Sequence, residues 1–128
     1  GSPPGQAFAL DLTGLDDPAI TLFGAWRDND LLGIGALKRL GAEGAEIKSM
    51  RTRADALRQG VARALLEAII ARAQDEGIAR LSLETGRGPM FEPALALYRA
   101  RGFRNGEAFA DYENTDFNQC LHLDLTPQ

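Results

Sequence analysis

Apolar positions along the chain follow two different periods. "ITLFGAW" (20–26) and "LLGIGALKRL" (31–40) flank the polar stretch "RDND" and read as an antiparallel strand pair with its turn. "GAEG" (41–44) is a second turn, and "AEIKSMRT" (45–52) a third strand, which completes a meander. The period then changes. Val61, Leu65, Leu66, Ile69, Ile70 and Ala73 recur at helical spacing, and Gly77 marks the helix end. "IARLSLET" (78–85) reads as a buried strand. Strand, helix, strand in this order predicts that 45–52 and 78–85 lie side by side and parallel. "EPALALYRARG" (92–102) is a second helix, with Pro93 in its first turn and Gly102 at its end. "FRNGEAFA" and "NQCLHLDL" read as two closing strands. The pattern describes one α/β domain over 20–128 with a mixed sheet. Residues 1–19, rich in Gly, Pro and Asp, read as irregular or as a helix remnant.

Composition adds class. The chain has 128 residues, 45% hydrophobic and 25% charged, the balance of a soluble globular domain with room for a core. No apolar run approaches the roughly 18 residues of a membrane span, so no membrane partner is expected. The net charge of −4 speaks against nonspecific nucleic-acid binding. That charge is unevenly spread: residues 48–104 hold eleven Lys/Arg and six Asp/Glu, against three and twelve elsewhere. A basic middle between acidic ends suits an anionic ligand in the centre and a cationic one nearby. Scattered solvated side chains would give the same count. Cys120 has no partner for an internal disulfide, which fits a reducing, cytoplasmic setting.

The strongest local signal lies between the third strand and the first helix, in "LRQGVA". A helix that starts after a strand exposes unpaired N–H groups at a positive dipole end. Gly60 removes the side chain that would block a ligand there. Amides from Arg58 to Arg63 can form a nest for a phosphate, with Arg58 and Arg63 adding charge at its rim. The stretch lacks both the Walker pattern and the dinucleotide-binding glycine pattern.

Three stretches in order, "AEIKSMRT", "LRQGVARALLEAI" and "LALYRARGF", resemble the GNAT superfamily of N-acetyltransferases, and "MRT", "LSLETG" and "FADY" resemble a bacterial subgroup of it. The resemblance runs from about Ile20 to Leu125. It implies the GNAT fold: a mixed central sheet with an antiparallel meander, a splayed parallel strand pair and flanking helices. The strand and two helices that open the family's fold are missing or shortened here. Leu57, Arg58, Gln59, Gly60, Val61 and Ala62 match the family's pyrophosphate loop, which implies that their amides, with Arg63, hold the coenzyme A diphosphate. Leu57 departs from the usual Arg or Gln, and Thr85-Gly86 stands where many relatives carry an Asn. The resemblance also implies that Met50, Arg51 and Thr52 offer backbone to the pantetheine arm.

Acetyl transfer to an amine requires a neutral amine and a stabilised thiolate. An alkylamine of pKa near 10 is neutral in under about one molecule in a thousand at pH 7, and a carboxylate, directly or through water, can take its proton. Glu46 matches the family's catalytic glutamate. If its face meets the cleft, Lys48 and Met50 share that face by the period of two. Glu84 and Asp111 are alternatives. Tyr98 occupies the place of the family's tyrosine, whose phenol donates to the leaving thiolate. Cys120 reads as core, as do Phe23 and Trp26. His122 reads as facing away from Leu121 and Leu123. Phe91, Asp111 and Tyr112 read equally as acceptor-pocket lining or as loop anchors. The expected activity is transfer from acetyl-CoA to a small-molecule or peptide amine in a ternary complex, without a metal. A non-catalytic acyl-CoA sensor on the same fold is the alternative. The oligomeric state is left open, a homodimer included.

Overall fold

The structure, a computed structural model, describes residues 7–10, as backbone, and 17–125. Seven strands form one sheet in the order β1-β2-β3-β4-β5-β7-β6. They are β1 (Ala7–Leu10), β2 (Ile20–Arg27), β3 (Asp30–Leu40), β4 (Gly44–Thr52), β5 (Arg80–Gly86), β6 (Arg104–Asn105) and β7 (Asn118–Asp124). The helices are α1 (Val61–Asp75) and α2 (Glu92–Arg101). The meander is present as β2, β3 and β4. Within the segment read as irregular, Ala7–Leu10 forms a strand antiparallel to β2; the rest of that segment up to residue 16 lies outside the described residues.

Both helices pack on one face of the sheet. Val61, Leu65, Leu66, Ile69, Ile70 and Ala73 of α1 are all buried, as their spacing demands, together with Phe23, Leu37, Ile47, Leu81, Leu83 and Leu121 from the strands and Leu95 from α2. Each of these side chains larger than alanine contributes roughly 1.5–3 kcal/mol by leaving water. The two glycines of "LLGIGAL" let α1 approach β3. A Cβ on Gly33 would stand 2.8 Å from Val61 Cγ1, and one on Gly35 would stand 2.6 Å from Met50 Sδ. Arg101 of α2 reaches Glu67 of α1 at 2.7 Å.

The parallel pairing of β4 and β5 is short. Only Gly44–Glu46 pair with Arg80–Ser82. Beyond Glu46, β4 stays with β3 as far as Thr52, while β5 stays with β7 as far as Gly86. The two strands therefore part, and a slot opens through the sheet between them. Of the two expected closing strands, β7 is full length. β6 has only two residues, and most of the stretch from 106 to 117 is loop.

Candidate active site

The slot is bordered on the helical face by a groove of about 540 Å³, between the end of β4 and the first turns of α2. Met50, Arg51, Thr52, Leu57, Arg58, Ala62, Leu97 and Tyr98 line it. A neighbouring hollow of about 420 Å³ shares Thr52, Leu57, Arg58, Ala62 and Leu97 with it and adds Gly60, Val61 and Arg63. Groove and hollow thus form one trough that ends against the start of α1. The turn there is built from left-handed backbone: Arg58 has φ 64° and Gly60 φ 83°. For a residue with a Cβ this conformation costs about 1–2 kcal/mol, so Arg58 holds strain where the trough ends. The first hydrogen bond into α1 runs from the Ala64 amide to the Gly60 carbonyl at 3.0 Å. The amides of Val61, Ala62 and Arg63 precede it and have no partner among the described residues. They point out of a positive helix end. A Cβ on Gly60 would meet nothing within 4 Å, so it is the left-handed backbone and not crowding that calls for glycine there.

Tyr98 stands at the other end of the trough. It is buried, its ring meets Phe103 edge-on at 5.7 Å, and its hydroxyl has no hydrogen bond among the described residues. Burial pushes the phenol above its ordinary pKa, so it is a proton donor across the neutral range.

The opposite face of the sheet has different chemistry. Glu46 lies there at the last paired position before the slot opens, facing Lys38 of β3 and Ser82 of β5 in register. Its side chain is 3% exposed, and Tyr112 donates its phenol to Glu46 Oε2 at 2.6 Å. Glu84 and Cys120 occupy the same face on β5 and β7, opposite each other in register. Burial, then the Glu46 carboxylate, pushes the Tyr112 phenol far up. Burial likewise pushes up the Cys120 thiol.

Sequence comparison assigns this architecture. The profile of the acetyltransferase (GNAT) family matches residues 3–103. The chain belongs to the GNAT family of acetyltransferases. It is 51% identical over 111 residues to the uncharacterized N-acetyltransferase YsnE of Bacillus subtilis, across 87% of this chain and 74% of that one. It is 44% identical over 124 residues to the uncharacterized N-acetyltransferase YedL of Escherichia coli, across 97% and 78%. Among solved structures, a GNAT acetyltransferase from Elizabethkingia anophelis with acetyl-CoA bound superposes with a TM-score of 0.75 at 18% identity, covering 94% of this chain and 97% of that one.

The GNAT fold brings together nearly all the residues singled out in the sequence. Met50, Arg51, Thr52, Leu57, Arg58, Gly60, Val61, Ala62, Arg63 and Tyr98 all line the trough. Gln59 does not; its side-chain amide donates to the Asp55 carbonyl at 3.3 Å and braces the turn from outside. Leu57 is 56% exposed and gives the trough an apolar wall.

One expectation is corrected. Glu46 and Lys48 share a face, but Met50 does not join them. Ser49 has φ 58°, and the β3–β4 register shifts there, Ala36 pairing with Lys48 and Ile34 with Arg51. The extra residue is a β-bulge that reverses the alternation. Met50 therefore points at Gly35 and Ile69 on the helical face.

Cys120 is core, and His122 faces away from Leu121 and Leu123, bonded to Ser82 Oγ and to the Glu107 carbonyl at 2.7 Å each. Phe91 covers Gly86, and Asp111 is exposed. Two features escaped the sequence reading. Pro93, Ala94, Leu97 and Tyr98 form one stripe of α2 along the groove, and their i, i+3, i+4 spacing carried that signal. The bond from Tyr112 to Glu46 spans 66 positions, and no local pattern announces it.

Proposed function

We propose that the protein transfers an acetyl group from acetyl-CoA to a primary amine, of a small molecule or a peptide, by direct attack in a ternary complex. The observation that carries this reading is the slot itself: a gap between parallel strands that ends in an anion-binding turn, with a phenol on one side and a buried carboxylate on the other. The diphosphate lies on the amides of Val61, Ala62 and Arg63, and Arg58 supplies charge. The pantetheine arm follows the backbone from Met50 to Thr52, which β5 leaves unpaired. The thioester then lies in the slot near Tyr98. Glu46 takes the proton of the attacking amine. The neutral amine attacks the carbonyl carbon, the tetrahedral adduct collapses, and the C–S bond breaks. Tyr98 gives its proton to the leaving thiolate, the adduct nitrogen releases its surplus proton to solvent to leave the neutral amide, and the Tyr98 phenolate regains a proton from solvent. The carboxylates on the acceptor face favour a cationic acceptor.

The test is a thiol-release screen of wild type and Glu46→Gln over alkylamines and peptides. Wild type should release coenzyme A with at least one amine. Glu46→Gln should lower turnover by roughly 10²-fold or more at pH 7, keep its coenzyme A affinity, and recover as the pH nears the pKa of the amine. Tight acetyl-CoA binding with no transfer to any acceptor would make the protein an acyl-CoA-binding module instead.

A further inference from the structure

Glu46 offers an acceptor little surface, and only one of its two carboxylate oxygens is unbonded among the described residues. It is 3% exposed, and Oε2 is occupied by Tyr112 at 2.6 Å. Tyr112 itself is only half-buried, in the loop between β6 and β7. Its phenol thus joins the buried carboxylate to a residue that keeps exposed surface. We propose that Tyr112 is a catalytic proton relay, receiving the acceptor's proton on its oxygen while passing its own to Glu46. The proposal rests on the reading of Glu46 as the base.

The phenol is held in place by a chain of contacts. The Tyr112 ring packs on Phe109 at 5.1 Å, and Phe109 packs edge-on against His122 at 5.7 Å. His122 is fixed at both ring nitrogens, by Ser82 and by Glu107. A turn closes between them, with the Tyr112 amide donating to the Phe109 carbonyl at 3.0 Å and Ala110 at φ 50°. Asn114 braces the loop, donating to the Gly106 carbonyl and accepting from the Cys120 amide, each at 3.0 Å. A phenol has one proton to give and lone pairs to receive another, so a single hydroxyl can serve both directions.

The step balances. An N–H bond of the ammonium breaks as a new O–H bond forms on Tyr112. The original Tyr112 O–H bond breaks as one forms on Glu46 Oε2. The products are a neutral amine, a neutral carboxylic acid and an unchanged phenol. No phenolate forms, in keeping with the upward push on its pKa from burial and from the Glu46 carboxylate. The ionisable groups around the relay are Lys38 opposite Glu46, Lys48 two positions along β4, Glu84 on β5, Cys120 and His122 on β7, and Glu46 itself.

The test compares Tyr112→Phe, Glu46→Gln and the double variant. The acceptor is the alkylamine that wild type uses fastest, or water, as acetyl-CoA hydrolysis, where no amine is faster. Tyr112→Phe should lose roughly 10²-fold in kcat/KM at pH 7, with coenzyme A affinity unchanged and the loss shrinking toward the pKa of the amine. The double variant should be no slower than the slower single variant. The rate of wild type in mixtures of light and heavy water should follow a bowed line, for two protons in flight, and that of Tyr112→Phe a straight one. Should Tyr112→Phe misfold, fluorotyrosine at position 112 keeps the packing, and the pH profile should then move with the acidity of the phenol. Activity of Tyr112→Phe within about threefold of wild type, or losses that multiply in the double variant, would overturn the relay while leaving Glu46 as base. A silent Glu46→Gln would remove the base and the relay together, as would a wild type that consumes no acetyl-CoA.

Discussion

The two faces of the sheet meet at one slot and are built on different principles. The helical face is made of local structure: a turn, the first residues of α1, and a stripe of α2, all within residues 50–98. It offers backbone amides, an apolar groove and one phenol. The opposite face is made of long-range pairs, with Glu46 of β4 tied to Tyr112 and Ser82 of β5 tied to His122. It offers carboxylates under a braced loop. The contrast suggests a division of labour. On the proposed function, the generic features of the helical face hold the acetyl donor, and the side chains brought from afar select the acceptor.

Substitutions can break that division in order of severity. Gly60→Asp puts a side chain and a negative charge in front of the α1 amides, in a backbone conformation that disfavours any Cβ. It should abolish coenzyme A binding in calorimetry while the fold, checked by circular dichroism, survives. Retained affinity would mean that the turn only starts a helix. Tyr98→Phe removes one oxygen from the helical face. Turnover should fall by roughly 10²–10⁴, with stability changed by only about 1 kcal/mol and coenzyme A affinity intact. An unimpaired rate, under conditions where chemistry is limiting, would take the acid role away from Tyr98.

The smallest effect is on stability at high pH, and it involves both faces. Tyr98 and Tyr112 each have a folded-state pKa above the ordinary phenol value, Tyr98 by burial and Tyr112 by burial and the Glu46 carboxylate. The folded chain therefore holds these protons more tightly than the unfolded one. That stability is fully present below about pH 10 and is lost as the pH rises through the folded pKa. Thermal melts should show a decline above about pH 10 that is shallower in Tyr98→Phe and in Tyr112→Phe. An identical decline in wild type and both variants would place the sensitivity elsewhere.

How much of this was legible follows from the same contrast. The helical face could be read because each part has a short-range cause. Val61 to Ala73 carry the helical period, Gly60 permits the turn, and Pro93 and Gly102 bound α2. The opposite face could be read only in part. Glu46 was found by family likeness, but its burial and its partner were not, because Tyr112 is set by loop conformation and not by any repeat. Strand parity failed at Ser49, since a bulge depends on how β3 sits opposite and leaves no mark in apolar spacing. β6 has only two residues: past the Gly106 amide, which donates to the Cys120 carbonyl, the chain leaves the ladder and turns at residues 109–112.

The Ser49 bulge also bears on how this strand can change over generations. Side chains before it and after it obey opposite phases, so Glu46 and Met50 are matched to different compartments only because one residue is surplus. A deletion of Ser49 would behave like a frameshift confined to protein space: every position from Met50 to Thr52 would swap sides at once, although no other letter changed. Point substitutions in β4 are thus a gentler kind of variation than a gain or loss of length, and homologous chains that carry a working site should vary here in identity far more readily than in spacing.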